Sequence, residues 1–592
     1  MFPIRSHARR HLLSLPGALA RRGYRTPTVL RREVLTAPNA VAKQLDASLV
    51  WKPPKERKGA KPMVRADKTR VNITGDALCD DIAAYLGDSL LRHRGCDLID
   101  MYPGAGVWSR KLHDVLQPRS HILLEPDAAL YTPFLESLLA RPGTRLVPKA
   151  GIVWSNLNAV LSPEFLPHQT PRPWAPDIPP ERNDTLLVTM NLANFPARRF
   201  LNFESIASLV LFQLLSSMRA GSLFQRYGLV RLLIWTTPED GARLLPRVIQ
   251  SRNRAAIDAE LNTEWVREVV GLNNTLEATG RFAYNRDKNI DVEGTARVVA
   301  RMRAQGLVTP PGRESDLLRE VLDMGGAVSA AADQAPSWRF SDEEERLELV
   351  EAYQAGKVKA DPAMLRRYRN LQNYHQWKLN RSSAFFSTDA ERRAIVGLYR
   401  AGSPDAAARE AAWIETLDGQ DRKLREQYQL YRDNLHVFNQ DPPVLVWDRR
   451  LYEPLLGRPD EFFPNVPLAL LDIQPRATHP LLRDMGRHSG HAGDYFELIL
   501  RCLQQSGTQG PSRALDHIAP GCSDAVIPLC PSLRDPDVGG SPMGGYGEVS
   551  CRSLNERQMM EILQAWMEWP LKPSYAQLVG RLTDSDEPEE DE

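Results

Sequence analysis

Two glycines, an acid and an asparagine stand along the first third of the chain in a pattern suited to holding a nucleoside. Segment 96–116 (CDLIDMYPGAGVWSRKLHDVL) carries an apolar run into Pro103-Gly104-Ala105-Gly106 and then into a helical pattern. Glycines at such a junction let the backbone turn sharply and approach a ligand closely. The helix that starts there offers unpaired N–H groups to a carboxylate or phosphate. A second apolar run, His121–Leu124, ends at Glu125, nineteen residues beyond Gly106. An acid at that strand end can accept two hydrogen bonds from ribose hydroxyls. Ser109 occupies the position of the third glycine of the NAD fingerprint, which favours S-adenosylmethionine over NAD. An ordinary βαβ unit with no ligand is the alternative.

The elements that would position these residues follow from apolar spacing. Leu78, Ile82, Leu86 and Leu90 recur every four residues, which predicts an amphipathic helix over 75–92. Strands are predicted at 96–101, 121–125, 185–190 and 229–235, and helices at 107–116, 127–140 and 203–219. This alternation predicts an α/β domain, a parallel sheet with helices on both faces. From about 245 to 440 charged, Ala/Leu-rich stretches take over (254–272, 293–305, 341–356, 361–380, 388–400 and 404–436), and we read a helical insertion. Short β patterns return at 443–475. Helices follow after 490, broken by a Gly/Pro-rich loop at 535–547. Ser553 and Glu556 suggest a capping box before the helix that carries Met559, Ile562, Leu563 and Trp566.

Charge is balanced overall, with a net of +1 over 592 residues, so no global polycation argues for nucleic acid. It is uneven along the chain. Residues 1–32 hold eight Arg and no acid, the composition of a mitochondrial presequence; Arg22-Gly23-Tyr24 resembles a processing site. Residues 51–70 hold eight Lys/Arg against two acids and suit either a solvated linker or a phosphate-contacting arm. The last nine residues include seven acids, which predicts a disordered tail. In 364–381, Arg366, Arg367, Arg369, Lys378 and Arg381 interleave with Tyr368, Tyr374 and Trp377. Arg366, Arg367, Arg369 and Trp377 are candidate contacts to single-stranded nucleic acid; a helix with inward aromatics and outward charges is the plainer alternative. The six cysteines lack any C-x-x-C pair or zinc-type spacing, so no metal site is expected and buried thiols are. No apolar run reaches ~18 residues, so no membrane span is expected.

Several segments in order resemble one family, the rRNA adenine N6-dimethylases and their mitochondrial transcription factor B relatives. RVNITGDALCDDIAAYL (70–86) resembles the family's lead-in helix, LIDMYPGAGVWS (98–109) its cofactor loop in a form closer to fungal mitochondrial members, and HILLEPD (121–127) its ribose-binding strand. LVTMNLANFP (187–196) lies where the family has its catalytic N-L-P-Y/F turn. RLLIWTTPEDGARLL (231–245) and EFFPNVPLALLDIQP (461–475) resemble later parts of the catalytic sheet, and YFELILRCL (495–503) and SLNERQMMEILQAW (553–566) its helical C-terminal domain. The resemblance spans roughly 70–580. It implies a Rossmann-like S-adenosylmethionine-dependent methyltransferase fold with a large helical insertion and a helical C-terminal domain. Together with composition and charge it divides the chain into a presequence (1–32), a basic linker (33–70), the methyltransferase-like domain (71–245), the insertion (246–440), a terminal β hairpin of that domain (441–480), the C-terminal domain (481–582) and the acidic tail (583–592). It assigns Tyr102, Gly104, Gly106, Glu125 and Asn191 to the cofactor, S-adenosylmethionine, and Asn191, Leu192 and Asn194 to the catalytic turn.

The chain departs from that pattern where chemistry would happen. In the family, the turn's Asn and a backbone carbonyl accept hydrogen bonds from the target amine, and the aromatic stacks on the extruded base. Here Asn191 and Leu192 are kept, Ala193 replaces the proline and Asn194 replaces the aromatic. Stacking contributes ~1–3 kcal/mol per base. Phe195, one position later, would substitute only if the loop shifted. The family's acid for the cofactor's adenine amine is also missing, since Ala150 and Gly151 stand there. Retained fold with degraded chemistry is what the resemblance implies for a mitochondrial transcription initiation factor, a monomer of the matrix that helps mitochondrial RNA polymerase open promoter DNA. Two alternatives stay open: an active dimethylase of mitochondrial small-subunit rRNA, with S-adenosylmethionine bound, and a non-catalytic RNA-binding ribosome assembly factor. Whether the chain is an enzyme is undecided at this level.

Overall fold

Strands and helices alternate from residue 97 onward because short β-branched and leucine runs are separated by amphipathic segments. A computed structural model describes residues 35–52, 61–62, 64–200, 203–273, 286–326, 328–337, 342–357, 361–486 and 488–584. The expected presequence and nearly all of the acidic tail fall outside them. The strands are β1 (Asn72–Ile73), β2 (Asp97–Met101), β3 (Ser120–Leu124), β4 (Thr144–Val147), β5 (Arg182–Asn191), β6 (Leu229–Thr236), β7 (Thr263–Gly271), β8 (Leu455–Leu456), β9 (Phe462–Phe463) and β10 (Ala469–Pro475).

Eight of them form one sheet in the order β4-β3-β2-β5-β6-β10-β7-β8, and β1 pairs with β9 in a small separate ladder. β4, β3, β2, β5 and β6 are mutually parallel, whereas β10 runs antiparallel to both β6 and β7. Both faces are covered. Helix Ile206–Ala220 packs on one through Val210, Leu211, Leu214 and Leu215. Helices Asp76–Leu91 and Val107–Leu116 pack on the other, where Leu78, Ile82, Leu86 and Leu112 are buried. This is the α/β architecture with a largely parallel sheet that the alternation predicts. Strand order reverses between β2 and β5, and in such sheets the crevice beyond the carboxyl ends of the switching strands is where ligands bind. The candidate residues after Met101 and at Asn191 lie at those ends.

Two expectations are corrected. The stretch 254–272 is not one helix: Arg254–Asn262 is helical, but Thr263–Gly271 is β7. Val266, Val269 and Val270 favour the pleated state, and they are buried in it. Nor do residues 441–480 form a terminal hairpin. Ala469–Pro475 enters the middle of the sheet, while β8 pairs with β7 and β9 with β1. The cause is visible at Asp472, fully buried, which receives a two-pronged hydrogen bond from Arg231 on β6 (2.7 and 2.8 Å) and one from the indole of Trp265 on β7 (3.0 Å). Strand 469–475 therefore joins its two neighbours through side chains as well as through its ladders.

Between β7 and β8 lie helices Lys288–Ala304, Asp316–Asp323, Glu343–Gln354, Ala406–Asp418 and Arg422–Phe438, with a 39-residue helix, Pro362–Arg400, that joins two segments expected to be separate. The C-terminal helices Ala492–Gln505, Pro511–Ile518 and Glu556–Glu568 enclose their own core around Phe496, Leu500 and Trp566. The capping box of Glu556–Glu568 is formed by Asn555 and Gln558 rather than Ser553 and Glu556. All six cysteines are buried free thiols. One helical stretch, Ile206–Tyr227, is long and apolar enough to cross a membrane by length and composition, against the expectation of none; its apolar side chains pack into the sheet.

Asp287 gives a pH-dependent prediction. Its Oδ1 accepts hydrogen bonds from the backbone N–H groups of Asn289 (3.0 Å) and Ser337 (2.8 Å) at the start of helix Lys288–Ala304. Burial raises its pKa from 3.8 to about 7. The folded protein thus keeps a proton that the unfolded chain releases, so stability falls as pH rises from about 4 to about 7, by at most ~1.4 kcal/mol per unit. Asp287→Asn keeps the acceptor and removes the titration. Urea unfolding of this variant is expected to show a flatter pH profile and greater stability than the parent at pH 8.

Candidate functional site

The loop after β2 is shaped by close approaches within the chain. Tyr102 (φ 61°), Gly104 (φ 57°) and Gly106 (φ 69°) all adopt left-handed backbone. A Cβ on Gly104 would lie 2.4 Å from Oδ1 of Asn72, and one on Gly106 would lie 2.6 Å from Leu135. Helix Val107–Leu116 starts at Gly106 without a side-chain cap, as the glycine pattern predicts. Trp108 anchors its first turn by donating from Nε1 to Thr189 Oγ1 (3.1 Å) and packing edge-on against Trp235.

Glu125 follows β3 and is fully buried. It does not face an open crevice. Arg70 Nη1 and Nη2 donate to its two oxygens at 2.6 and 2.8 Å, and the backbone N–H groups of Gly104 (3.2 Å) and Asp127 (3.0 Å) complete its shell. A carboxylate offers about four lone-pair sites, so none remains for ribose hydroxyls in this arrangement. The Arg70 guanidinium lies between two rings, 5.0 Å from the centroid of Tyr102 and 4.8 Å from that of Tyr131. Burial opposes its charge, but Glu125, Tyr131 and Asp127 outweigh that and hold its pKa above the ordinary value. Burial pushes the Tyr102 phenol up to about 12 and also raises the Asp127 carboxyl.

The segment bearing Arg70 is a strap across the site. Its far end is held by the β1–β9 ladder, and Trp51 Nε1 donates to the Arg70 carbonyl (3.1 Å). Along its length it is zipped to the candidate catalytic turn. Val71 N donates to the Ala193 carbonyl (3.3 Å), Phe195 N donates to the Thr69 carbonyl (2.6 Å), and Arg70 and Asn194 form an antiparallel bridge. Asn191 Nδ2 donates to the Val71 carbonyl (2.9 Å) while its Oδ1 accepts from Ala193 N (3.1 Å). Asn194 Oδ1 accepts from the Thr69 hydroxyl (3.0 Å), its Nδ2 donates to the Leu192 carbonyl (3.2 Å), and Leu192 itself is buried. Each side-chain nitrogen and oxygen of the turn's two asparagines thereby has a partner inside the chain. Phe195 is about one-third exposed, but the strap pins its backbone in place.

Gly151, which stands where the resemblance would put an acid, presses on the end of β2, where a Cβ would lie 2.7 Å from the Met101 side chain. The residues present do not fit S-adenosylmethionine in this arrangement: Glu125, the candidate for the ribose, is saturated, no acid stands at 150–151, and the turn's asparagine side chains are engaged. The structure places Tyr102, Gly104, Gly106 and Glu125 after β2 and β3, and Asn191, Leu192 and Asn194 at and beyond the end of β5, with Arg70 between the two groups. It adds Arg70 and Tyr131, which sequence reasoning missed. Arg70 was counted with a basic linker; the available signal was its place directly before the Val71–Ile73 run, within reach of a buried acid.

The candidate nucleic-acid residues lie apart on helix Pro362–Arg400. Arg367 is paired with Glu345 (2.8 and 2.6 Å), and Tyr368 stacks on Tyr353 against the neighbouring helix. Arg366, Arg369 and Trp377 face solvent.

No family model matches the chain. Over 170 residues it is 24% identical to mitochondrial transcription factor 1 of Saccharomyces paradoxus. The match covers 28% of this chain and 45% of that protein, so the chain spans less than half the length of the relative it resembles.

Proposed function

We propose that this chain is a mitochondrial transcription initiation factor that assists mitochondrial RNA polymerase on promoter DNA, built on an S-adenosylmethionine-dependent methyltransferase-like sheet that no longer serves methyl transfer. The partial likeness to the yeast factor supports a transcription role and a mitochondrial location. The Arg-rich start supports import to the matrix. The strand order, with a switch point between β2 and β5 and an antiparallel strand beside β6, supports the methyltransferase ancestry.

The observation that carries the non-enzymatic part is the Arg70 strap. A dimethylase needs the ribose acid for its cofactor and a free acceptor at Asn191 to orient the amine. Here Arg70 takes the acid, the Asn191 acceptor is engaged by the Ala193 N–H, and Asn194 stands where the base-stacking aromatic would be. Neither the dimethylase nor the ribosome-assembly alternative has a comparable feature in its favour. The working species we propose is a monomer that meets the polymerase and DNA through surfaces outside the closed crevice.

Runoff transcription tests this. Purified protein added to its cognate mitochondrial RNA polymerase is expected to stimulate initiation on a linear promoter duplex and to add little on a pre-melted template. A polymerase active on the pre-melted template but not stimulated on the duplex would overturn the proposal.

A further inference from the structure

The first half of the longest helix presents a surface of its own to solvent. Residues 362–381, the first half of helix Pro362–Arg400, contain five Lys/Arg and no acid. Arg367 is neutralised by Glu345, but among the described residues neither Arg366 nor Arg369 forms an ion pair. Large aromatics on a helix normally turn inward, yet Tyr374 and Trp377 are each 49% exposed. Their rings are stacked, with centroids 5.9 Å apart and planes 17° from parallel. Lys378 lies over the Tyr374 ring (4.6 Å) and Arg381 over that of Trp377 (4.0 Å). At ~100° per residue, Arg366, Arg369, Tyr374, Trp377 and Arg381 share one arc of about 140°. The inward face of the same stretch is satisfied separately, through Leu371 and the Tyr353–Tyr368 stack, so these outward residues are not needed to hold the helix.

We propose that this outward face binds single-stranded nucleic acid, with bases stacked on Tyr374 and Trp377 and phosphates on Arg366 and Arg369. An acid-free cationic stripe is complementary to a polyanion, and half-exposed rings select unpaired bases, because bases in a duplex stack on each other instead. In the free protein Lys378 and Arg381 cover the rings. A base competes for those ring faces and releases the two cations to the flanking phosphates. From Arg366 to Trp377 the helix rises ~17 Å, room for about five nucleotides at ~3.4 Å each. The inference does not depend on the transcription role, since it concerns a surface away from the closed crevice and its test needs no polymerase.

Fluorescence anisotropy with the full-length protein and labelled 20-nucleotide DNA, the same sequence as RNA, and the corresponding DNA duplex provides the test. Wild-type protein is expected to bind at least one single strand more tightly than duplex; the DNA and RNA arms decide which polymer is preferred. Trp377→Ala is expected to weaken that binding about tenfold, with Trp377→Phe intermediate. Arg366→Gln combined with Arg369→Gln should reduce the slope of log affinity against log salt by about 1.4. These side chains are exposed, and unchanged melting curves will check that the variants fold. Absence of single-strand binding by the wild type, tighter binding of duplex, or variants that bind with wild-type affinity would each overturn the proposal.

Discussion

Arg70→Ala is expected to destabilise the folded protein by about 3–5 kcal/mol, because removing one member of a buried ion pair leaves an uncompensated charge. Glu125 would keep only the N–H groups of Gly104 and Asp127, and Tyr102 and Tyr131 would lose the cation between them. Arg70→Lys should lose most of the same energy, since an ammonium cannot reproduce the two-pronged geometry. The double variant Arg70→Met/Glu125→Gln keeps a carbonyl acceptor for one of the two backbone groups and leaves no buried charge, so it should be more stable than Arg70→Ala. Urea midpoints decide this, and a loss below ~1 kcal/mol for Arg70→Ala would mean that the strap is an incidental surface contact. Titration calorimetry of the parent with S-adenosylmethionine should give no saturable heat; micromolar binding would show that the strap opens readily.

The second large effect is expected in the middle of the sheet. Arg231 and Asp472 are both fully buried, and Arg231 also donates to the Ser89 carbonyl at 2.5 Å. Arg231→Ala should cost about 3–5 kcal/mol for the same reason, and it removes the side-chain link between β10 and β6 while leaving their ladder in place. The double variant Arg231→Met/Asp472→Leu should recover most of that loss, because two apolar groups of similar volume need no partner. It leaves the Trp265 indole without its acceptor, so recovery should fall short of the parent by about the cost of one unsatisfied donor, ~1–3 kcal/mol. If the double variant were no more stable than the single one, shape rather than charge would be what this position demands.

The parts legible in the sequence were those with local signatures. The run 96–125 announced β2, the glycine loop, the helix and Glu125, since each depends on residues within a few positions of itself. The eclipse of that site was not legible, because its cause is 55 residues upstream of Glu125, in a stretch whose composition resembles linker. β7 was hidden for a related reason: Glu264, Arg267 and Glu268 give 263–271 a helical look, and only pairing with β10 rewards the extended form. The place of β10 itself follows from Asp472, an acid in an apolar strand whose meaning appears once Arg231 and Trp265 are set beside it. Asn191 and Asn194 stand out in the sequence only through the family resemblance, and their engagement by residues 69–71 needed three dimensions.

The late position of β10 also bears on how the protein comes to be folded. The last strand in the sequence occupies an interior place in the sheet, and its central ion pair joins residues separated by 241 positions. Until residue 475 is available, β6 and β7 each present an open edge, the kind of surface that recruits foreign strands. Closing so long a loop is slow even though its entropic cost grows only logarithmically with length. A chain threaded amino-end first through a membrane pore would expose those edges for the whole passage of the helical insertion. Such a chain would depend on a chaperone at the exit, and truncation anywhere before residue 469 should yield an aggregating product rather than a smaller working domain.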